Sequence, residues 1–357
     1  MHLRAGRSRY KGECNETDQL LTAGVFAGLA VTTGQASASV LDTVKQRGTL
    51  NCGTDNTAPG FGYLNTTTGQ MEGLDVDFCR AVAAAVLGDA SKVKFVTVTD
   101  KSRFDAVLTN QVDVVFAHTT MKPARESSIA IDFLPVNFYD GTGIMVKTDS
   151  EVVQFADLEG ATFCTTQGSV TETVLTSAFK ANGWQGSKVL TYENLEKLFA
   201  ALNSGRCNAM STDKSALAAW AGNSPKPSDY LILPETLDKS PFAGFVAAND
   251  SKWRNALRWI TYGLFQAEES DITQANLEEK LKSDDPFVQK FLGVGGGYGK
   301  DFGLPDDFVA QAIKAMGNYG EIYARNLGPD TSMFLDRKGT PNALWTEGGA
   351  IYSPLWN

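Results

Sequence analysis

The sequence predicts an α/β fold in two similar lobes, each a mixed sheet flanked by helices. Three observations carry this. A helix–turn–strand–polar-loop unit occurs twice. Each copy is preceded by a short strand, a loop and a helix. Two glycine-bearing apolar segments lie where the chain would pass from one lobe to the other and back.

The first lobe opens with a short strand at 49–53, which leads through a Gly/Pro/Asn-rich loop to a helix at 75–87. Residues 100–111 form a short amphipathic helix ending in a polar turn. The apolar run 112–117 follows as a buried strand, then a hydroxyl-rich loop from His118 to Arg125, then a strand at 131–133. Apolar residues recur at helical spacing and then become contiguous, which separates helix from buried strand. The second copy runs from a strand at 161–165 through Gln167 and Gly168 into a helix. A further helix at 194–205, a strand at 206–210 and the loop Ser211-Thr212-Asp213 complete it.

The outward crossing is placed at 139–147 and the return at 240–248. The first lobe therefore comprises 39–141 and 244–357, and the second 142–243. Two crossings permit hinge closure about a ligand. The remainder reads as helices at 253–269, 272–281, 287–292 and 308–325. The glycine-rich stretch 293–299 follows a helix and no strand, so it is a turn and not a phosphate cradle. The tail 342–357 carries two Trp and is expected to pack against a lobe.

A net charge of -9 over 357 residues argues against a nucleic-acid surface. The N-terminus has a basic start (Arg4, Arg7, Arg9, Lys11), an apolar stretch at 20–31 and a small-x-small site at Ala36-Ser37-Ala38. That is the tripartite pattern of a secretory leader, so residues 1–38 are expected to be removed and the mature chain to start at Ser39. Glu13, Glu16 and Asp18 interrupt the pattern, which a start codon placed too far upstream explains. Beyond the leader no apolar run is long enough to span a bilayer. Cys14 leaves with the leader, and Cys52, Cys79, Cys164 and Cys207 remain. An even number in an exported chain favours disulfides, with three connectivities open. A metal site is disfavoured, because there is no C-x-x-C and His118 is the only histidine after the leader.

The loop after the strand 112–117 holds the most chemistry. Ligands bind at strand ends in open α/β sheets. The hydroxyls of Thr119 and Thr120, the loop amides and the planar fork of Arg125 suit a small carboxylate. In the second lobe Ser169 and Glu172 have capping-box spacing at a helix start. Such a start can also hold a carboxylate through its free N–H groups. Asp213 either takes a cation or caps the helix that begins near Ser215.

The stretches Arg47-Gly48-Thr49-Leu50-Asn51-Cys52-Gly53 and Gly73-Leu74-Asp75-Val76-Asp77-Phe78-Cys79-Arg80 carry a resemblance, with Val112-Asp113-Val114, the Thr119-to-Arg125 loop and Gly205-Arg206-Cys207. Residues 254–267, Gly317-Asn318-Tyr319-Gly320-Glu321 and Asn342-Ala343-Leu344-Trp345 extend it. From about Leu41 onward the chain resembles the periplasmic solute-binding proteins of polar-amino-acid ABC transporters (family 3). It is most similar to their general L-amino-acid-binding subgroup. The resemblance implies a two-lobed type II periplasmic-binding-protein fold that closes on one amino acid.

By the same resemblance Arg125 pairs with the ligand α-carboxylate, and Thr120, with Thr119 beside it, donates from the first lobe. Ser169 and the Val170 N–H donate from the second, and Asp213 takes the α-ammonium. Asp55 matches an acid that some binders turn toward cationic side chains, with an Asx turn as the alternative. Implied partners are an L-amino acid and a membrane permease. The implied state is a periplasmic monomer, not an enzyme, with no cofactor.

Two positions depart from the pattern. Ala58 stands where many relatives place an aromatic ring over the ligand, with Phe61 and Tyr63 as substitutes, and His118 stands where relatives have Ser or Asn. For the cysteines we expect Cys52–Cys79 and Cys164–Cys207, each within one lobe, since a bridge between lobes would block the hinge. Two other functions compete. A dehydratase-like enzyme on the same fold would need a general acid or base, for which only Glu172 and His118 offer themselves. A sensor module would need a partner chain in the membrane.

Overall fold

The structure is a computed structural model and describes residues 39–356. The leader, Cys14 and the cleavage site after Ala38 lie outside the described residues. After helix α1 (Val40–Arg47) comes strand β1 (Leu50–Thr54), then a small antiparallel sheet of β2 (Thr57–Ala58), β3 (Gly62–Asn65) and β4 (Gln70–Glu72). Helix α2 (Leu74–Leu87), strand β5 (Val93–Thr97), helix α3 (Arg103–Leu108) and strand β6 (Val114–Val115) follow. Helix α4 (Pro123–Ser128) then leads into β7 (Ile131–Lys147). The next elements are β8 (Thr162–Thr166), α5 (Val170–Ala181), β9 (Lys188–Tyr192), α6 (Leu195–Asn203), β10 (Ala209–Asp213) and α7 (Lys214–Gly222). Strands β11 (Tyr230–Ile232) and β12 (Asp238–Ala247) bring the chain back. Helices α8 (Ser251–Glu269), α9 (Leu277–Lys280), α10 (Pro286–Leu292), α11 (Phe308–Met316) and α12 (Tyr319–Leu327) finish the order.

The main sheet has the order β5-β1-β6-β12-β7-β10-β8-β9, with β11 also on β7. The parallel pairs β1–β5 and β1–β6 lie on one side of it, and the parallel pairs β8–β10 and β8–β9 on the other. The two sides are joined through β7 and β12, which run antiparallel. The segment 139–147 lies within β7, and most of 240–248 lies within β12. The strands expected at 131–133 and 139–147 are one continuous strand of 17 residues. Pro135 does not break it because Leu134 and Pro135 together oppose Gly244 across an irregularity, where a missing N–H costs no ladder bond.

Two expected helices differ from their periodicity. The run 308–325 is split into α11 and α12 by Gly317, at φ 80, and by Asn318, whose side chain takes the N–H of Glu321 while Glu321 caps back. That reciprocal box starts a new helix in the middle of an apolar period. The helix expected at 272–281 shrinks to α9. Thr273 and Asn276 exchange side-chain-to-backbone bonds, giving the backbone a turn as its alternative.

Each side of the sheet has its own satellite core. Val98, Val107, Val115, Phe133 and Phe245 pack together on one side, and Ile144, Val146, Phe163, Leu175 and Leu233 on the other. The disulfides are Cys52–Cys79 and Cys164–Cys207, with Cα separations of 6.0 and 5.8 Å, as expected. The tail does pack: Trp356 meets Trp259 and Phe291 edge-on, each at 5.0 Å between ring centroids. No helix among the described residues is long and apolar enough to cross a membrane. No cluster of three or more His, Cys, Asp or Glu among them is placed to hold a metal ion.

Candidate functional site

The loop leaving β6 turns sharply at His118, which has a φ of 34. Positive φ is uncommon away from glycine, and His is among the residues that tolerate it best. Thr119 spends its hydroxyl on the Ala117 carbonyl at 2.9 Å. The backbone of Thr120 bridges to Phe242, and its carbonyl accepts Arg125 Nη1 at 2.6 Å. Arg125 is only 5% exposed, yet it has no salt bridge among the described residues. Its guanidinium lies 5.2 Å from the centre of the Phe104 ring. Burial, reinforced by the charge of Arg103, pulls its pKa down to about 9. A buried cation without a carboxylate partner is costly, and an anion arriving beside it removes the cost.

Arg103, the residue before Phe104, is the neighbouring cation. It pairs with Asp100 at 2.7 Å and gives the same nitrogen to the Ala117 carbonyl at 3.0 Å. Burial alone would raise Asp100, but Arg103, His118 and a hydrogen bond from Thr166 outweigh it, and its carboxyl is held below the usual range. The Thr166 bond is short, 2.6 Å, and it joins the end of β8 to the segment after β5. The next turn is equally close. A Cβ on Gly168 would come within 3.0 Å of the Lys101 backbone.

Helix α5 starts just beyond. Ser169 occupies the N-cap position but makes no capping bond, and its hydroxyl sits 3.4 Å from that of Thr165. Glu172 reaches past it to the N–H of Gly168 at 2.7 Å, so the expected box does not close. The reason is local: Gly168, at φ 80, turns its own N–H toward the helix. The Val170 N–H is thus left for another acceptor, and the Ser169 hydroxyl has only the long contact with Thr165.

Asp213 ends β10 and stands at the N-cap of α7, again without a capping bond. The cap is supplied by Asp140, which accepts the Ser215 N–H at 3.1 Å and the Gly141 N–H at 2.7 Å. Burial and the nearby Asp140 carboxylate push Asp213 up to about 7, and burial raises Asp140 as well. Two half-buried carboxyls in electrostatic contact resist carrying two charges, and a cation placed between them relieves both. Asp213 is also within electrostatic reach of Arg125.

Asp55 accepts the N–H and the hydroxyl of Thr57 at 2.6 and 2.8 Å, which is an Asx turn, and its other oxygen faces His118 Nε2 at 3.3 Å. The N–H of His118 in turn goes to Asp75 at 2.7 Å. Burial lowers the imidazole pKa, but the bond to Asp55 and the charges of Asp100 and Asp55 prevail and lift it to about 9. Ala58 is buried in β2. Phe61 is buried edge-on against Phe138 and Phe242, at 4.9 and 5.7 Å, so it belongs to the core beneath the site. Tyr63 lines a separate cavity with Trp220 and Arg325.

Sequence reasoning missed Asp140, Asp100 and Arg103. The last two had a signal, an acid and an arginine three apart at a helix start. Asp140 had none, because its role depends on a helix start 75 residues away. Glu172 and His118, the only candidates for acid–base work, are engaged with Gly168 and Asp55 and do not bond each other.

Residues 50–281 match the family model described as bacterial extracellular solute-binding proteins, family 3. The chain is 42% identical over 334 residues to the glutamate/glutamine/aspartate/asparagine-binding protein BztA of Rhodobacter capsulatus, covering 93% of this chain and 97% of that one. It is 39% identical over 340 residues to the general L-amino acid-binding periplasmic protein AapJ of Rhizobium johnstonii, covering 94% and 98%. Among solved structures it is similar to an ABC transporter periplasmic binding protein from Brucella ovis with glutathione bound. There the TM-score is 0.83 at 39% identity, covering 87% of this chain and 97% of that one. The fold is thus the two-lobed periplasmic-binding-protein fold, and the chain belongs to family 3 of the bacterial extracellular solute-binding proteins.

Proposed function

We propose that the protein is a periplasmic receptor that binds an L-amino acid between two lobes and delivers it to an ABC permease. The lobes are 39–141 with 244–357, and 142–243, hinged at the centres of β7 and β12. The protein acts as a monomer and without a cofactor. The names of BztA and AapJ, both amino-acid-binding proteins, support this reading.

The observation that carries it is the charge arrangement around Arg125. A buried guanidinium with no salt bridge among the described residues stands within electrostatic reach of Asp213 and of Asp100, and Asp100 is bonded to Thr166 just before the start of α5. That arrangement complements a zwitterion. Arg125, Thr120, the Ser169 hydroxyl and the Val170 N–H take the α-carboxylate, and Asp213 with Asp140 takes the α-ammonium. Thr119 holds the loop through Ala117. Donors from both lobes are bridged by the ligand, so the ligand favours the closed arrangement.

Calorimetric titration with the common L-amino acids tests the reading. Saturable binding without turnover is expected, and Arg125→Ala should abolish it while leaving the melting temperature of the unliganded protein nearly unchanged. Consumption of the ligand over time, or unaltered affinity in the variant, would sink the assignment.

A further inference from the structure

We propose that His118 determines the ligand class: by occupying Asp55 it excludes amino acids with cationic side chains and leaves the pocket to acidic, amide and small neutral ones. This rests on the reading of the cleft as an L-amino-acid site.

The argument begins at Asp55. It is a carboxylate at the end of β1, almost wholly removed from water. Left alone beside a ligand cleft, such a group would recruit a cation, and the ammonium of lysine or the guanidinium of arginine would serve. The protein supplies its own cation instead. His118 Nε2 lies 3.3 Å from Asp55 Oδ2, and the ring is itself largely buried. The other Asp55 oxygen is committed to Thr57. Both oxygens therefore have partners before any ligand arrives.

His118 is held in place from several sides. Its N–H is fixed by Asp75 at the start of α2, and its ring meets the Phe242 ring of β12 at 6.0 Å. The charged groups around it are Asp55 after β1, Asp75 on α2, Asp100 and Arg103 around the start of α3, and Asp213 at the end of β10. Three of these acids already have roles: Asp75 anchors the loop, Asp100 pairs with Arg103, and Asp213 belongs to the carboxyl pair. Asp55 is the one that His118 neutralises. The ring stays protonated through neutral pH, since the surrounding carboxylates lift it to about 9. A second cation entering would meet the imidazolium and find no free carboxylate.

His118 is within electrostatic reach of Asp100 and Asp213, the two acids that also act on Arg125, so the ring shares the charged cluster of the proposed cleft. Truncating it frees the second oxygen of Asp55 and leaves Arg125, Ser169 and Asp213 in place.

The test is His118→Asn, with His118→Ser as a second variant. Asparagine tolerates positive φ, so the loop is expected to keep its path. L-glutamine and L-arginine are titrated into each protein at pH 7.5. Wild type should bind L-glutamine and reject L-arginine. His118→Asn should gain at least tenfold in affinity for L-arginine, with L-glutamine changed by less than about threefold. Adding Asp55→Asn to His118→Asn should remove the gain. If L-glutamine binds but neither variant gains L-arginine, or if wild type binds both ligands alike, the role of His118 is overturned and the amino-acid site stands. If wild type binds neither these nor any other L-amino acid, the site reading falls, and this one with it.

Discussion

Thr166 Oγ1 lies 2.6 Å from Asp100 Oδ2, although 66 residues separate the two. Thr166 ends β8 and Asp100 follows β5, strands that lie on opposite sides of the paired central strands. The bond therefore spans the cleft proposed above, and Gly168 packs on Lys101 beside it. A hydrogen bond to a charged group contributes about 1.5–3 kcal/mol. If the bond forms only when the lobes close, that energy belongs to ligand affinity. Thr166→Val should then weaken binding by about ten- to a hundredfold. Asp100 keeps Arg103, so the unliganded protein should melt close to wild type. Calorimetry and thermal melts of the two proteins check this. A lower melting temperature at unchanged affinity would place the contact in both states.

Asp213→Asn separates binding from stability. The carboxyl is half-buried and in electrostatic contact with Asp140, and the pair opposes its own ionisation. Replacing one member with an amide removes the repulsion, so the unliganded variant should melt higher than wild type at pH 8. Binding should weaken, because the ammonium loses its counter-charge, by about 2–5 kcal/mol. A variant that is both less stable and still competent to bind would contradict this assignment of roles.

The outline of this site was legible because its parts sit at strand ends and helix starts, which periodicity locates. Arg125, Ser169 and Asp213 are located that way, since each lies in the polar segment that follows a strand. What was illegible is how each polar group is spent. Ser169 and Glu172 have the spacing of a closed box, but Gly168 takes the glutamate. Asp213 has the position of a cap, but Asp140 does the capping from 75 residues away. Asp55 looked like a choice between turn and ligand, whereas His118 claims its second oxygen. Asp140 and His118 meet their partners only after the sheet has assembled, so no local pattern encodes them. The fold shows the same limit at Gly317 and Asn318, where a reciprocal cap cuts one apolar period into two helices.

Both disulfides should be stabilising without being needed for closure. Cys52–Cys79 spans 27 residues and Cys164–Cys207 spans 43, each on one side of the central strands. On a chain-entropy estimate each constrains the unfolded state by about 3.5–4 kcal/mol. Cys164→Ala with Cys207→Ala should lower the melting temperature by several degrees while leaving ligand affinity within about threefold. Loss of affinity in a variant that still melts cooperatively would mean that the bridge positions the start of α5.

Stability and affinity should move in opposite directions with pH. The Asp213 carboxyl titrates near 7 in the unliganded protein, above its ordinary 3.8. A folded pKa raised in this way contributes stability that is complete below the ordinary value and lost as pH rises through about 7. The His118 imidazole, raised from 6.5 to about 9, acts with the same sign at higher pH. The unliganded protein should therefore melt lower at pH 8 than at pH 6 as far as these two groups act. The ligand ammonium needs Asp213 charged. Below about pH 7 binding must expel a proton, and affinity should fall by up to about tenfold per pH unit. Titrations at pH 5.5, 6.5 and 7.5, each in two buffers of different ionisation enthalpy, read both the affinity and the proton released. Constant affinity with no proton release across that range would show that the α-ammonium is bound elsewhere.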